Sequence, residues 1–226
     1  MKALALFGST ARHERDFNSD IDLLGVYDGS AIRSVNRSIV SLFLYPEDYL
    51  VEKMTTGDLF ALHLVKESTA IYGADVLQNI FDNFRYKDSY GEDICTAIYL
   101  ANSILKEYAK INNKKEANKK IVWCLRTIII SLSAQDRTPV FSKKSLSEYI
   151  KLDKITARDI LTMIDLKTSS MPIPLIYLNL FHDFFYHFEI KFASDMNGIN
   201  RKLITNCLIN LGIISGSSNL KQPPYI

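Results

Sequence analysis

The residues best suited to chemistry are a glycine–serine pair near the amino terminus and two aspartates that follow it. Ten residues separate Gly8-Ser9 from Asp20-Ile21-Asp22. A glycine that ends a strand lets backbone amides approach a polyphosphate, and the hydroxyl of Ser9 adds a donor. Residues two apart in a strand point to the same face, so we expect Asp20 and Asp22 to project together. Two neighbouring carboxylates repel each other unless a cation lies between them. The spacing therefore predicts a site for Mg²⁺, or Mn²⁺, that also binds phosphate.

Three apolar segments are expected to position these residues. Lys2–Phe7 alternates in polarity and predicts a first strand, which Gly8 ends. Asp20–Tyr27 predicts a second strand and Ser38–Tyr45 a third. Pro46-Glu47-Asp48 is typical of a helix start, because proline and acidic residues favour the first turn. The candidate residues therefore lie at strand boundaries.

The remainder of the chain changes character after about residue 88. Strand candidates give way to apolar residues at helical spacing. Amphipathic helices are predicted near residues 94–108, 121–132, 157–166, 174–193 and 201–211. Strands followed by helices predict an α+β protein, with a strand-containing domain over residues 1–88 and an all-helical bundle over residues 89–226.

The charge of the chain is divided in a similar way. The formal net charge is +2. Residues 1–92 hold 9 lysines and arginines against 14 aspartates and glutamates, a net charge of −5. Residues 93–226 hold 18 against 11, a net charge of +7. An acidic first part and a basic second part predict two domains with different partners.

Composition and cysteine usage argue against several classes of protein. No apolar run reaches the roughly 18–20 residues that cross a bilayer, so no membrane partner is expected. The three cysteines, Cys95, Cys124 and Cys207, are odd in number and widely separated. This pattern argues against a disulfide framework and a zinc site, and it predicts buried thiols in a cytoplasmic protein.

The helical half contains one basic cluster. Its lysines are Lys114, Lys115, Lys119 and Lys120. Either they form a solvated helix face or they mark a surface for phosphate or RNA, and the sequence leaves both readings open.

The stretch LFGSTARHERDFNSDIDLLGVYD resembles the GSx10DxD motif of minimal nucleotidyltransferases in the DNA polymerase β superfamily. The flanking residues match the family pattern too: Leu6-Phe7 precede the glycine, Ala11-Arg12 follow the serine, and Ser19 precedes the first aspartate. The resemblance is specific over residues 5–28, looser to about residue 73, and architectural beyond that.

The resemblance implies a small mixed β-sheet domain followed by a helical domain that binds the acceptor or a partner. It also implies transfer of a nucleoside monophosphate from an NTP, with ATP as the first candidate, to an acceptor hydroxyl. Asp20 and Asp22 would then hold the metal and act in catalysis, while Gly8, Ser9 and Arg12 would bind the nucleotide. For Arg12, a solvated loop charge is the alternative reading.

One departure from the family pattern leaves two functions open. Such enzymes usually carry a third carboxylate on the strand after the DxD strand, and Ser38–Tyr45 contains none. Glu47 and Asp48 follow that strand and are the nearest candidates, although a first-turn helix role is the simpler expectation. The chain is then either an active nucleotidyltransferase or a non-catalytic nucleotide-binding or antitoxin-like partner protein.

The charge distribution also bears on the acceptor. A polycationic aminoglycoside would be expected to select an acidic cleft, whereas the helical half carries +7. An RNA 3′ end, a protein hydroxyl or a phosphorylated metabolite fits better, and superfamily members act on all of these, some in toxin–antitoxin or phage-defence systems. A helical toxin or a second copy of the chain is the expected protein partner.

Overall fold

The computed structural model describes residues 1–12, 21–192 and 198–216. These residues divide into two compact units, with the boundary between Lys87 and Asp88. The first unit contains strands and helices, whereas the second is helical. The α+β class predicted from the sequence is therefore confirmed.

The described residues of the first unit form a five-stranded mixed sheet. In chain order its strands are β1 (Ala3–Phe7), β2 (Ile21–Tyr27), β3 (Arg33–Arg37), β4 (Val40–Pro46) and β5 (Thr69–Tyr72). Their spatial order is β3-β4-β2-β1-β5. Strands β2 and β4 run parallel, and the other neighbours are antiparallel. The central position of β2 places Asp22 between two paired strands.

The predicted third strand is only partly correct. Strand β4 begins at Val40, because Ser38 and Ile39 form a two-residue turn that joins it to β3. Ser38 adopts a positive φ of 54° there. Strand β3 was not predicted from the sequence, because its five residues, RSVNR, include one apolar side chain and show no alternation of polar and apolar positions. All five are exposed.

In the part of this unit that the structure describes, three helices cover one face of the sheet. They are α1 (Glu47–Thr55), α2 (Leu59–Glu67) and α3 (Ala74–Phe81). Alternate strand residues point toward them, and the buried core of this unit consists of Ala3, Ala5, Phe7, Leu24, Val26, Phe43, Tyr45, Leu50, Met54, Ala61, Leu64, Leu77 and Ile80. Helix α2 starts where the Asp58 carboxylate accepts a hydrogen bond from the Phe60 amide at 2.9 Å. This N-cap satisfies a backbone donor that the helix itself leaves unpaired.

The second unit consists of six α-helices in its described part. They are α4 (Gly91–Glu107), α5 (Lys114–Gln135), α6 (Lys143–Tyr149), α7 (Ala157–Asp165), α8 (Leu175–Lys191) and α9 (Arg201–Asn210). Single 3-10 turns occupy Tyr108–Lys110 and Leu166–Thr168. One continuous apolar core joins these helices. Periodic apolar residues predicted five of them, whereas α6 was not predicted from the sequence.

The three cysteines lie in this second unit. All are buried and none forms a disulfide, as predicted. Burial raises the pKa of the Cys124 thiol well above its ordinary value, so it packs as a neutral side chain. No helix in the described ranges is both long and apolar enough to span a bilayer.

Candidate functional site

The residues after β1 form a tight turn that depends on glycine. Gly8 is buried and has a φ of 73°, in the left-handed region that side chains with a Cβ rarely adopt. The Arg12 amide donates to the Gly8 carbonyl at 3.2 Å and closes the turn. Ser9 lies inside this turn and is half-buried. We call residues 8–12 the Gly8–Arg12 turn.

Asp22 lies beside this turn. In the antiparallel pairing of β1 with β2, Phe7 is opposite Asp22, and Phe7 is the residue before Gly8. Asp22 is half-buried, near the first residue of its strand. The turn and the Asp22 carboxylate therefore occupy the same end of the sheet.

A row of polar residues continues outward from Asp22. In the parallel pairing of β2 with β4, Asp22 is opposite Ser41, and in the next pairing Ser41 is opposite Asn36. Residues that face each other on paired strands share one face of the sheet. Burial falls along the row, from the half-buried Asp22 and Ser41 to the exposed Asn36. We call these three residues the polar row.

The other predicted aspartate, Asp20, lies outside the described residues, as do residues 13–19. The pairing of Asp20 with Asp22 at a metal therefore stays a prediction. Within the described ranges, no three His, Cys, Asp or Glu side chains come together as a metal cluster.

Glu47 and Asp48 do not complete the site, because they lie at the opposite end of the sheet. Strand β4 runs parallel to β2 and ends where Pro46 is opposite Tyr27. Tyr27 is five residues beyond Asp22, or about 17 Å along the strand. Glu47 follows directly and binds Lys2 at 2.8 Å.

Lys2 is the partner that explains the position of Glu47. Its hydrogen bonds to Glu47 and Asp28 raise the pKa of the Lys2 amine above its ordinary value. The Lys2 amide also donates to the Val26 carbonyl at 2.8 Å, which fixes the start of β1. Glu47 thus lies in the first turn of α1 and forms an ion pair with Lys2.

A different carboxylate, Glu67, contacts the Gly8–Arg12 turn. The guanidinium of Arg12 forms a short ion pair with Glu67 through Nη1. The same carboxylate oxygen, Oε2, lies 2.6 Å from Nε2 of His63, one turn earlier on α2. The side chains of Glu67 and His63 are only 8% and 9% exposed, and that of Arg12 is 21% exposed. Arg12 is therefore not a freely solvated loop charge.

Sequence reasoning missed Glu67 and His63. Their spacing of four residues on a helix indicates that they can touch. Nothing in the local sequence indicates that the third member is Arg12, which lies 55 residues before Glu67. The contact exists only because α2 packs against the end of β1, where the Phe7 ring lies 6.0 Å from the His63 ring.

The basic cluster of the helical unit is smaller than the sequence indicates. Lys114 donates to the Tyr108 carbonyl at 2.5 Å and to the Ala109 carbonyl at 3.2 Å, so it caps the preceding helical turn. Lys120 is buried, with 8% exposure. Lys115 and Lys119 are the exposed members.

No protein-family model matches this chain, and no curated protein matches it.

Proposed function

We propose that this chain is a nucleotidyltransferase that moves a nucleoside monophosphate from an NTP, ATP in the first instance, to an acceptor hydroxyl. The observation that supports it best is the position of Asp22, opposite the residue that leads into the Gly8–Arg12 turn. A phosphate-binding turn and a metal-binding carboxylate must meet for this reaction, because the cation and the turn bind the same triphosphate. The proposal includes a polymerase β-like first domain and an acceptor-binding helical domain.

The donor chemistry at this end of the sheet fits a hard cation. Asp22 supplies carboxylate oxygen, Ser41 beside it supplies a hydroxyl, and Asp20 is the expected second carboxylate. Glu67 is held by Arg12 and His63, so it is not counted among the ligands. When bound, Mg²⁺ supplies charge neutralisation at the transferred phosphoryl group.

The protein's own groups bind and orient the substrate. Backbone amides of the Gly8–Arg12 turn and the Ser9 hydroxyl bind the triphosphate, and the Arg12 guanidinium contributes positive charge. The acceptor oxygen attacks the α-phosphorus while the bond to the β-phosphate oxygen breaks. Pyrophosphate leaves, and the acceptor proton passes to water or a carboxylate.

The acceptor belongs to the helical half in this proposal. Its net charge of +7 over residues 93–226 favours an RNA 3′ end, a protein hydroxyl or a phosphorylated metabolite over a cationic aminoglycoside. If the acceptor is a protein hydroxyl, a helical toxin in a toxin–antitoxin pair is the candidate that would supply it.

A non-catalytic nucleotide-binding partner protein is the second candidate function. The observation that favours it is Ser41, which occupies the position beside Asp22 on the neighbouring strand, where a third carboxylate would complete the metal site. Binding of ATP–Mg²⁺ without transfer to any acceptor would distinguish it from the first candidate.

Incubation with labelled ATP and Mg²⁺, with and without cellular RNA and lysate, tests the proposed reaction. We expect Asp22→Asn to lower label transfer at least about a hundredfold, since it removes a charged metal ligand. Asp28→Asn is the matched control, because Asp28 follows the opposite end of β2 and is 76% exposed. Full transfer by the Asp22 variant would overturn the metal assignment.

The polar row allows a gain-of-function test of the same site. Ser41→Asp places a new carboxylate opposite Asp22, so we expect it to tighten Mn²⁺ binding about tenfold, measured by electron paramagnetic resonance. Ser34→Asp is the control: Ser34 pairs with Phe43, two strands away from β2 and two positions along β4 from Ser41. Equal Mn²⁺ affinities in the two variants would mean that Ser41 does not face the cation.

A further inference from the structure

We propose that Glu67 is a positioning residue that acts through Arg12 to hold the Gly8–Arg12 turn in its nucleotide-binding conformation. The expected change in nucleotide affinity rests on the proposed function. The anchored turn itself can be measured without any nucleotide.

Helix α2 contacts the chain on both sides of the turn. On the entering side, the Phe7 ring packs edge-on against Phe60 and His63, with centroids 6.3 and 6.0 Å apart. On the leaving side, Arg12 reaches Glu67, the last residue of the same helix. One helix therefore fixes both ends of a five-residue turn.

The anchor itself is firmly held. The N-terminus of α2 is capped by Asp58, whose carboxylate also binds Lys53 at 2.8 Å. Leu62 and Leu64 are fully buried on the helix. Because its cap and its buried residues hold α2 in place, the Arg12–Glu67 contact limits movement of the Gly8–Arg12 turn relative to the sheet.

The burial of the Glu67 carboxylate explains why its contact with Arg12 is stabilising. A carboxylate that is 8% exposed is poorly hydrated and depends on its partners, here Arg12 and His63 on one oxygen. The guanidinium is a planar group with five N–H donors, so binding Glu67 through Nη1 restricts the orientation of the whole group. Glu67 thus sets the direction in which Arg12 presents its donors.

A double-mutant cycle tests whether Glu67 acts through Arg12. ATP–Mg²⁺ affinity is measured by calorimetry for the wild type, Glu67→Gln, Arg12→Gln and the double variant. We expect each single variant to bind about tenfold more weakly, the scale of one charge-assisted hydrogen bond. The double variant should bind no more weakly than Arg12→Gln alone, because coupled residues are non-additive.

Glu47→Gln is the matched control. It makes the same substitution in a carboxylate that pairs with Lys2 at the other end of β1. We expect its nucleotide affinity to equal that of the wild type. Unchanged affinity in Glu67→Gln, or additive losses of about a hundredfold in the double variant, would overturn the inference.

Hydrogen–deuterium exchange separates this inference from the proposed function. Without nucleotide, Glu67→Gln and Arg12→Gln should speed exchange of the amides in the Gly8–Arg12 turn, and Glu47→Gln should not. Unchanged exchange in Glu67→Gln overturns the inference whatever the protein binds. Faster exchange in a protein that binds no ATP–Mg²⁺ supports the anchor and refutes the nucleotidyltransferase proposal.

Discussion

At the scale of single residues, the ion pairs at the two ends of β1 differ in their surroundings. The Arg12–Glu67 pair is largely buried, whereas Lys2 and its partners Glu47 and Asp28 are 39%, 39% and 76% exposed. Water screens the exposed group, so its net contribution to stability is small. The buried pair matters mainly because a poorly hydrated carboxylate loses stabilisation when one of its partners is removed.

Arg12→Gln should therefore lower the free energy of unfolding by about 3 kcal/mol, because the buried Glu67 carboxylate loses its arginine partner and keeps His63. Adding Glu67→Gln should recover much of this loss, because two neutral amides can pair without a buried charge. Lys2→Gln, the control, should cost less than about 1 kcal/mol. Urea denaturation measures all four proteins, and a double variant less stable than Arg12→Gln would contradict the prediction.

At the scale of elements, the β3–β4 hairpin adds an edge strand beyond β4. Its two-residue turn has a positive φ at the first position, Ser38, and not at Ile39. This pattern is that of a type II′ turn, which favours glycine at its first central position. Serine at this position is strained, and the β3–β4 pairing offsets the cost of that strain.

Ser38→Gly should raise the free energy of unfolding by roughly 0.5–1 kcal/mol, the gain from relieving left-handed strain less the added entropy of the unfolded chain. Ile39→Gly, the control, should be neutral or destabilising, since the second position needs no positive φ. Chemical denaturation compares the two. Loss of stability in Ser38→Gly would mean that the serine side chain contributes more than its strain costs.

At the scale of the whole molecule, the described residues form two buried cores that share no residue. The first is formed by the sheet and α1–α3, and the second by α4–α9. A unit that buries its own apolar surface has the main driving force for folding within itself.

A fragment of residues 88–221 should accordingly be helical and unfold cooperatively. Its core residues in the described ranges run from Ile94 to Leu211. Circular dichroism at 222 nm during urea titration checks this, with the full chain as the reference. A fragment that loses its helical signal without a sigmoidal transition would show that its core is insufficient alone.

The sequence by itself determined the features that depend on neighbours along the chain. Alternating polarity predicted β1, periodic apolar residues predicted five of the six described helices of the second unit, and the cysteine pattern predicted buried thiols. The strand-ending role of Gly8 also follows from local chemistry, and its positive φ agrees with it. Backbone periodicity and turn preference act over a few residues, so they are visible in the sequence.

Only the tertiary structure decided which distant residues meet. Strand register placed Ser41 beside Asp22 and Glu47 at the far end of the sheet, although these two residues are separated by only the length of β4. Packing of α2 on β1 joined Glu67 to Arg12 across 55 positions. Side-chain patterns specify the faces of strands and helices, but long-range pairing depends on how those faces fit together in three dimensions, which no local pattern encodes.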